Sequence, residues 1–430
     1  MGTEDRIGKC SGRAPYGLLG ARLAHSYSPI IYRELAALPY ELHEVAPDDV
    51  ERFVREGTWH GMNVTIPYKR TVVPYMDELT PAARRMGNVN TMLRRPDGTL
   101  LGHNTDCFGF EVLVKSLGVE LDGSLALLLG ASGGAGTTCR TVLEDLGATV
   151  VGVGRDASKP GVDVTYNGLP HLPGLNRVAL LVNATPVGMY PACPASPVSL
   201  DLFPNLKGVV DIVYNPARTG LLLQAEKRGI PCAGGLLMLV AQAAAAVELY
   251  TGETVPAESI LDVTRRLSAS EQNIALIGMP GAGKTRVGQA VARALEREHV
   301  DADWELERRL GTSCQAYITE HGEDAFREQE SAVLADLGKR SRLVISCGGG
   351  VVTREGNYEL LHQNSLIAML DRPLNELSSK GRPITQRDGI SALAEQRLPL
   401  YRAWADIIVK SRSCAQETAE AFVKALPPML

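Results

Sequence analysis

One short stretch, Gly278 to Thr285, limits the folds open to this chain more than any other feature. It reads GMPGAGKT, follows the apolar run IALI and precedes helix-forming residues. It fits G-x-x-x-x-G-K-[ST], in which glycines let backbone N–H groups turn onto phosphates at the start of a helix. Lys284 would neutralise the β- and γ-phosphates, and the Thr285 hydroxyl would ligate Mg²⁺. The stretch therefore predicts a nucleoside-triphosphate site between a strand and a helix.

More than half of the chain precedes this motif. At 430 residues the protein is long enough for two to four domains of about 100–200 residues. A net charge of -5 gives no basic surface for nucleic acid, so small anions would be held by local Arg and Lys. Eight cysteines without a C-x-x-C pair, and an N-terminus without the apolar core of a signal peptide, predict a reduced, cytoplasmic protein. The longest apolar stretch, Gly234 to Tyr250, is too short and polar to span a membrane and predicts a packed helix.

Apolar runs divide the part before the motif into two regions. Up to about Phe110, short strands such as YGLLG and NVTI alternate with helical stretches. The runs SLALLLG, TVVGVG, VALLVNA and GVVDIVY then predict a doubly wound parallel sheet. The expected domains are a substrate domain over 1–110, a Rossmann-type domain over 111–235, helices over 236–268 that return to the first domain, and a nucleotide domain over 269–430. The polar stretch Arg265 to Asn273 is the predicted linker.

Two carboxylates and three arginines follow the phosphate motif. Asp301 and Asp303 end a predicted strand, where residues two apart face the same side. One could hold hydrated Mg²⁺ and the other could accept a hydrogen bond from a substrate hydroxyl. The arginines predict carboxylate clamps and a phosphate-reaching lid; they are Arg327, Arg382 and Arg397. Between them, GGGVV lets a substrate approach the backbone closely.

In this order, the P-loop, D-x-D, G-E-x-x-F-R, G-G-G-V-V, G-R-P and R-x-P-L-Y resemble shikimate kinase over about residues 273–409. The resemblance implies a P-loop domain with a parallel sheet in which Asp303 orients and deprotonates the 3-hydroxyl of shikimate. It implies that Asp301 holds Mg²⁺ through water and that Arg382 closes on the phosphates. Further shikimate-binding residues implied are Arg327, Gly349 and Arg397, and ATP-binding residues are Gly281, Ala282, Gly283, Lys284, Thr285 and Arg286. The lid NELSSKGRPI is shorter than the family's and lacks the arginine that packs on adenine.

The first region carries hydroxyl, amide and proton-transfer groups suited to a small polyol carboxylate. Lys69 and Asp106 are the candidates for proton transfer. Hydroxyls and a carboxylate would be held by Ser26, Ser28, Asn63, Thr65 and Asn90.

The second region opens with LALLLGASGGAG, a strand, a glycine turn and a helix, where a dinucleotide pyrophosphate binds. Ser132 replaces the second glycine of the G-x-G-x-x-G/A pattern, and Ala135 fits its third place. After the next strand, Arg155 and Lys159 would pair with a 2′-phosphate and favour NADP, whereas Asp156 would accept from a free ribose hydroxyl and leaves NAD open.

The motifs H-S-x-S-P, N-V-T-x-P-x-K, V-N-T, N-T-D, N-A-T-x-x-G-M and Y-N-P together resemble shikimate dehydrogenase from Tyr16 to about Leu267. The resemblance implies that Lys69 and Asp106 are the catalytic pair. It adds Tyr214 and Gln242 to the substrate residues Ser26, Ser28, Thr65 and Asn90. Implied cofactor residues are Gly130, Ala131, Ser132, Gly133 and Gly134 for the pyrophosphate, and Asn183, Thr185, Ile212 and Gly235 for the nicotinamide side. The family's usual N-R-T is G-R-D here.

Together the two resemblances predict a bifunctional enzyme of aromatic amino-acid biosynthesis. NADPH-dependent reduction of 3-dehydroshikimate would give shikimate, which ATP and Mg²⁺ would convert to shikimate 3-phosphate. The alternative is an NAD-linked quinate/shikimate dehydrogenase carrying a kinase-like sensing module without turnover. The sequence predicts no oligomeric state.

Overall fold

The fold is that of a computed structural model, which describes residues 15–23, 26–377 and 388–429. Contacts within it divide the chain into two compact units. Unit 1 comprises the described residues up to Thr185, together with Ser199–Ile212 and Ala225–Thr264. Unit 2 comprises Pro186–Val198, Val213–Gln224 and the described residues from Arg265 onward.

The first sheet of unit 1 is mixed, with strand order β2-β1-β3-β5-β6-β4. Strands β1, β2 and β3 are parallel, whereas β5 runs antiparallel to both β3 and β6. Its elements are β1 (Tyr16–Gly20), α1 (Ser28–Ala36), β2 (Tyr40–Glu44), α2 (Val50–Glu56), β3 (Gly61–Val64), β4 (Glu78–Leu79), α3 (Pro81–Met86), β5 (Thr91–Arg94), β6 (Leu100–His103) and α4 (Asp106–Lys115).

The second sheet of unit 1 is parallel throughout, in the order β12-β11-β10-β7-β8-β9. The four predicted apolar runs form β7, β8, β10 and β11, so the doubly wound sheet is confirmed. The elements along this part of the chain are β7 (Leu125–Leu129), α5 (Gly134–Asp145), β8 (Thr149–Gly154), β9 (Val164–Thr165), β10 (Val178–Asn183), β11 (Gly208–Asp211), α6 (Gly220–Lys227), β12 (Cys232–Gly234), α7 (Leu236–Thr251) and α8 (Ala257–Glu271). Helix α6 begins with residues of unit 2, and α8 ends with residues of unit 2. The strand order reverses at β7, the position where ligands bind in open α/β sheets.

Unit 2 contains a parallel sheet of order β14-β15-β13-β16-β17. Strands β13 and β15 are buried along their whole length, which explains their unbroken apolar runs. The elements are β13 (Asn273–Ile277), α9 (Lys284–Ala294), β14 (Glu298–Asp301), α10 (Ala302–Leu310), α11 (Cys314–His321), α12 (Glu323–Leu337), β15 (Leu343–Ser346), α13 (Gly356–His362), β16 (Ser365–Asp371), α14 (Ile390–Trp404), β17 (Ile407–Lys410) and α15 (Ala415–Ala425).

The stretch predicted as a linker begins where unit 1 ends and unit 2 resumes, and it is helical to Glu271 before β13 begins at Asn273. One local expectation from the sequence is wrong. Asp303 does not lie on a strand with Asp301. Strand β14 ends at Asp301, whose carboxylate Oδ1 accepts from the N–H groups of Asp303 at 3.1 Å and Trp304 at 3.4 Å and so caps α10.

The apolar stretch predicted as a packed helix is confirmed as α7, whose Leu, Val and Ala side chains are largely buried. Within the described part of the chain, no helix combines the length and the apolar character that a membrane span requires. Free thiols occur at all seven cysteines that the structure describes.

Candidate active sites

Lys69 and Asp106 meet in unit 1, as predicted. The Lys69 Nζ atom lies 2.6 Å from Asp106 Oδ2, and their side chains are 30% and 18% exposed. Asp106 is the first residue of α4, so its charge is stabilised by the helix N-terminus. The Lys69 carbonyl accepts from the Val89 N–H at 2.8 Å, which fixes the lysine backbone. The pair is open to a ligand, yet held on both sides by the fold.

Amide and hydroxyl groups orient Asp106 from behind. Asn90 Nδ2 donates to Asp106 Oδ1 at 2.9 Å, and Asn90 Oδ1 accepts from the Thr105 N–H at 2.8 Å. Gln242, on α7, brings Oε1 within 3.3 Å of the Thr105 hydroxyl and 3.5 Å of Asn90 Nδ2. Asn104 Oδ1 accepts from the Asp106 N–H at 3.0 Å. Thr105 and Asn104 were not singled out from the sequence, although they belong to the quoted N-T-D.

The predicted hydroxyl residues fall into two groups. The Ser26 hydroxyl donates to Ser28 Oγ at 3.1 Å at the start of α1, and Thr65 follows β3 with its side chain partly exposed. Asn63 is instead 5% exposed, with Oδ1 accepting from the Tyr40 and Tyr250 hydroxyls at 2.8 and 3.1 Å. Through these contacts Asn63 links β3 to β2 and α7, and its contact with substrate stays a prediction.

The glycine turn after β7 is built for close backbone approach. Gly130 has φ +79°, and a Cβ there would lie 2.7 Å from Thr185 Cγ2. A Cβ on Gly136 would lie 2.3 Å from the Gly130 carbonyl oxygen, whereas Ala135 is exposed. Close packing of the helix on the turn therefore depends on Gly136, one residue beyond the predicted third place. Helix α5 begins at Gly134, which leaves its N-terminus free for a phosphate.

The predicted nicotinamide-side residues line one edge of the second sheet. Each follows or ends a parallel strand: Asn183 ends β10, Thr185 follows it, Ile212 follows β11, and Gly235 follows β12. Asn183 Oδ1 accepts from the Thr185 hydroxyl at 2.6 Å, while Asn183 Nδ2 donates to the buried Asp211 carboxylate at 3.0 Å. A Cβ on Gly235 would lie 2.0 Å from the Ile212 carbonyl oxygen, so only glycine fits there. The contact of Asp211 with Asn183 was not predicted, because an aspartate at the end of an apolar run indicates only where a strand ends.

The adenosine end of this edge follows β8. Arg155 and Lys159 are exposed, and Asp156 Oδ1 accepts from Ser158 N–H and Oγ at 2.9 and 2.7 Å. The aspartate thus shapes the turn that carries the two cations. Tyr214 lies in unit 2 and is 39% exposed.

Unit 2 contains a cavity of about 1040 Å³ that joins the phosphate loop to the predicted acid and arginines. Most of the predicted kinase residues line it: Gly281, Gly283, Lys284, Thr285, Arg286, Asp301, Asp303, Arg327, Gly349 and Arg397. Ala282 is buried beneath the loop instead. Arg382 lies outside the described residues.

The phosphate loop has the backbone that its glycines predict. Gly278, Gly281 and Gly283 have φ of +139°, +86° and +94°. Lys284 Nζ donates to the carbonyls of Gly278 and Met279 at 2.9 and 3.2 Å, bonds that an anion can replace. The Thr285 hydroxyl donates to Asp301 Oδ2 at 2.6 Å.

This hydroxyl–carboxylate pair fits Mg²⁺, which keeps most of its waters and takes few protein ligands. Among the described residues, no cluster of three or more His, Cys, Asp or Glu is able to hold a metal.

At the other end of the cavity, buried charged side chains contact the backbone of the glycine segment after β15. Arg327 pairs with Glu330 at 2.9 Å and Glu323 at 3.1 Å, and a Cβ on Gly350 would lie 2.1 Å from its Nη2. Arg397 Nη1 donates to the Gly349 carbonyl at 3.1 Å. Glu330 was missed by sequence reasoning, although its spacing of three from Arg327 on a helix was a usable signal.

Asp303 faces this cluster. A Cβ on Gly348 would lie 2.7 Å from both Asp303 Oδ1 and Glu330 Oε1, so the two carboxylates approach the same glycine. Burial, followed by the charges of Glu330 and Asp301, raises the pKa of Asp303 to about 6, while Lys284 and Arg327 act in the opposite direction. Above that pH the carboxylate is ionised and can accept a proton.

This pKa predicts a pH dependence for phosphoryl transfer. If the ionised form is the base, as the resemblance implies, kcat/KM for shikimate should fall about tenfold per pH unit below pH 6 and level off above it. Glu330→Gln removes a charge that raises this pKa, so the inflection should move to lower pH. A profile that stays flat down to pH 5, with the fold intact by circular dichroism, would contradict the assignment.

Family profiles match both parts of the chain. One described as "Shikimate dehydrogenase substrate binding domain" matches residues 18–92, and one described as "Shikimate 5'-dehydrogenase C-terminal domain" matches 235–265. A third, "Shikimate kinase", matches residues 280–427.

Individual relatives agree with the first two profiles. The chain is 33% identical over 258 residues to the shikimate dehydrogenase (NADP(+)) of Caldanaerobacter subterraneus subsp. tengcongensis, covering 55% of this chain and 91% of that protein. A Thermus thermophilus shikimate 5-dehydrogenase, solved with NADP(H) and shikimate, has TM-score 0.52 and 33% identity over 58% of this chain and 98% of that one. A chorismate mutase/shikimate 5-dehydrogenase fusion protein from Clostridium acetobutylicum has TM-score 0.54 and 32% identity, covering 59% and 96%. The chain therefore belongs to the shikimate dehydrogenase family, and a shikimate kinase domain follows the dehydrogenase part in the sequence.

Proposed function

We propose that this chain performs two consecutive reactions, the NADPH-dependent reduction of 3-dehydroshikimate to shikimate and the ATP- and Mg²⁺-dependent phosphorylation of shikimate at its 3-hydroxyl. The observation that carries the proposal is the cavity of unit 2, where one space contains both the phosphate loop and a buried carboxylate–arginine pocket. The preceding part of the chain is similar to shikimate dehydrogenases, and their product, shikimate, is the substrate of the kinase.

In the reduction, Lys69 donates a proton to the oxygen of the substrate ring ketone as negative charge develops on it. NADPH, when bound, supplies the hydride. Asp106 holds the ammonium in place at 2.6 Å, and Asn90 keeps the carboxylate oriented through the 2.9 Å bond to its other oxygen. Ser26, Ser28, Thr65 and Gln242 contact the substrate carboxylate and hydroxyls. Positioned acid–base groups of this kind contribute roughly 10²–10⁴-fold to a rate.

The cofactor is held along the edge formed by β7, β8, β10, β11 and β12. The turn from Gly130 to Ala135 and the N-terminus of α5 would receive the pyrophosphate. Arg155 and Lys159 would contact the 2′-phosphate, and the nicotinamide side would be lined by Asn183, Thr185, Ile212 and Gly235. Gly136 supports the turn without contacting the cofactor.

In the phosphorylation, Arg327 and Arg397 hold the shikimate carboxylate, and Gly349 presents its backbone to the ring. ATP with Mg²⁺, when bound, supplies the phosphoryl group. Asp303 orients the 3-hydroxyl and accepts its proton, while Lys284 neutralises charge on the phosphates. Thr285 and Asp301 would hold Mg²⁺, and Gly281, Gly283 and Arg286 would complete the nucleotide contacts. Positioning and charge neutralisation are the main requirements of phosphoryl transfer.

The proposal is tested by assaying each reaction alone. Oxidation of NADPH with 3-dehydroshikimate, and release of ADP with shikimate, are both expected from the purified chain. Parallel assays with NADH and with quinate separate the biosynthetic reaction from a catabolic NAD-linked one. Turnover of quinate with NADH in preference to 3-dehydroshikimate with NADPH would overturn the first half, and shikimate binding without ADP release would overturn the second.

A further inference from the structure

Arg372 lies beside the phosphate loop, and the proposed function assigns it no role. Strand β16 pairs in parallel with β13, the strand that leads into the loop, with Met369 opposite Ile277. Two parallel neighbours end at the same edge of the sheet, so Arg372, the residue after β16, leaves the sheet where the loop begins. The contact is close, because a Cβ on Gly278 would lie 2.7 Å from the Leu370 carbonyl oxygen.

The guanidinium of Arg372 reaches the part of the loop that carries the phosphates. Its Nη1 lies 3.9 Å from the position of a Cβ on Gly283 and is the nearest atom to that position among the described residues outside Gly283 and its neighbours along the chain. Gly283 is the N-cap residue of α9. Arg372 and Gly283 line the same cavity, together with Lys284.

The bonding of Arg372 leaves donors available. Among the described residues its hydrogen-bond partner is Glu376, reached through Nε at 3.2 Å, and the two side chains are 33% and 50% exposed. A half-exposed ion pair of this kind stabilises a fold little. The Nη groups can therefore bind a ligand in the fork-like geometry that suits phosphate oxygens.

The two arginines at the far end of the cavity are proposed to hold the shikimate carboxylate, and they also contact protein groups. Arg327 is paired with two glutamates, and Arg397 donates to the Gly349 carbonyl. Arg372 is different, because it stands at the glycine turn, whose N–H groups cradle the α- and β-phosphates while the loop lysine reaches the β- and γ-phosphates.

We propose that Arg372 binds the non-transferred phosphates of ATP and ADP and thereby sets the nucleotide affinity of the kinase site. The inference rests on the proposed kinase activity. A cation from the end of β16 would supply a nucleotide contact from the sheet itself. Since ATP and ADP share these phosphates, Arg372 acts on nucleotide binding more than on the transfer step.

Calorimetric titration of ADP·Mg²⁺ into the full chain tests this directly. Arg372→Met should weaken ADP binding about tenfold or more, the loss expected for a hydrogen bond to a charged group. Arg372→Lys, which keeps the charge but not the fork, should lie between wild type and Arg372→Met. In steady-state assays the KM for ATP should rise with the ADP dissociation constant, while kcat and the KM for shikimate change little.

Two controls separate ligand contact from structural effects. Glu376→Gln removes the ion pair and keeps the arginine, so ADP should bind as tightly as in wild type or more tightly. If Arg372 acted only by fixing the chain through Glu376, this variant would reproduce the loss. Arg340→Met removes an exposed arginine that pairs with Glu298 at 2.8 Å and should leave ADP binding unchanged.

The outcomes keep the two claims apart. If the wild-type chain binds no ADP, the proposed kinase function is wrong. If the wild-type chain binds ADP and both Arg372→Met and Arg372→Lys bind it equally well, only the proposed role of Arg372 is wrong.

Discussion

Lys69→Ala should lower the dehydrogenase turnover by about 10³-fold, within the range for loss of a positioned acid–base group, and leave ADP formation from shikimate unchanged. The physical reason is that the Lys69 ammonium, the proposed proton donor, lies 2.6 Å from Asp106, and Asn90 and Thr105 orient that aspartate. Without it the developing alkoxide has no positioned acid. NADPH oxidation at saturating 3-dehydroshikimate measures the effect.

A matched control for this prediction is the next residue. Arg70→Ala removes an exposed cation from the same turn and should leave dehydrogenase turnover near wild type. Equal losses in the two variants would mean that the turn, and not the Lys69 ammonium, is what matters. Loss of kinase activity in folded Lys69→Ala protein would contradict the independence of the two sites.

Lys284→Met should have the converse effect, with a loss of roughly 10²–10³-fold in kinase turnover, as for removal of one preorganised charge-stabilising donor. Its Nζ rests on the Gly278 and Met279 carbonyls, so the ammonium is already at the loop where phosphates bind. NADPH oxidation with 3-dehydroshikimate should continue at the wild-type rate.

The control on the same helix is Arg293→Met. Arg293 lies in the last turn of α9 and is exposed, so its removal tests whether any loss of positive charge on this helix slows the reaction. A kinase rate that falls as far in Arg293→Met as in Lys284→Met would refute a specific role for the loop lysine.

The sequence predicted best where a local pattern carries the chemistry. The phosphate loop, the four parallel strands of the dinucleotide sheet and the pairing of Lys69 with Asp106 follow from motifs whose backbone requirement is local. Asp303 was predicted to lie on a strand with Asp301 but lies on α10. The reason is that an aspartate such as Asp301 can cap a helix as readily as it can end a strand. The capping by Asp301 turned the chain earlier than the strand pattern implied.

Residues whose role depends on distant parts of the chain could not be predicted in this way. Glu330 affects Asp303 because the fold places both carboxylates next to Gly348. Asp211 accepts a hydrogen bond from Asn183 because β11 lies beside β10. Gly136 differs from Ala135 only through the close approach of the Gly130 carbonyl. Arg372 stands beside the phosphate loop because β16 is the neighbour of β13, a sheet order that no local pattern specifies.

The most direct test of the whole account is a single reaction containing the purified chain, 3-dehydroshikimate, NADPH, ATP and Mg²⁺. NADPH loss, ADP formation and product mass are followed together. The account predicts that shikimate 3-phosphate accumulates, with one ADP formed for each NADPH oxidised once shikimate reaches its steady level. NADPH oxidation that ends in shikimate, with no ADP formed, would contradict it.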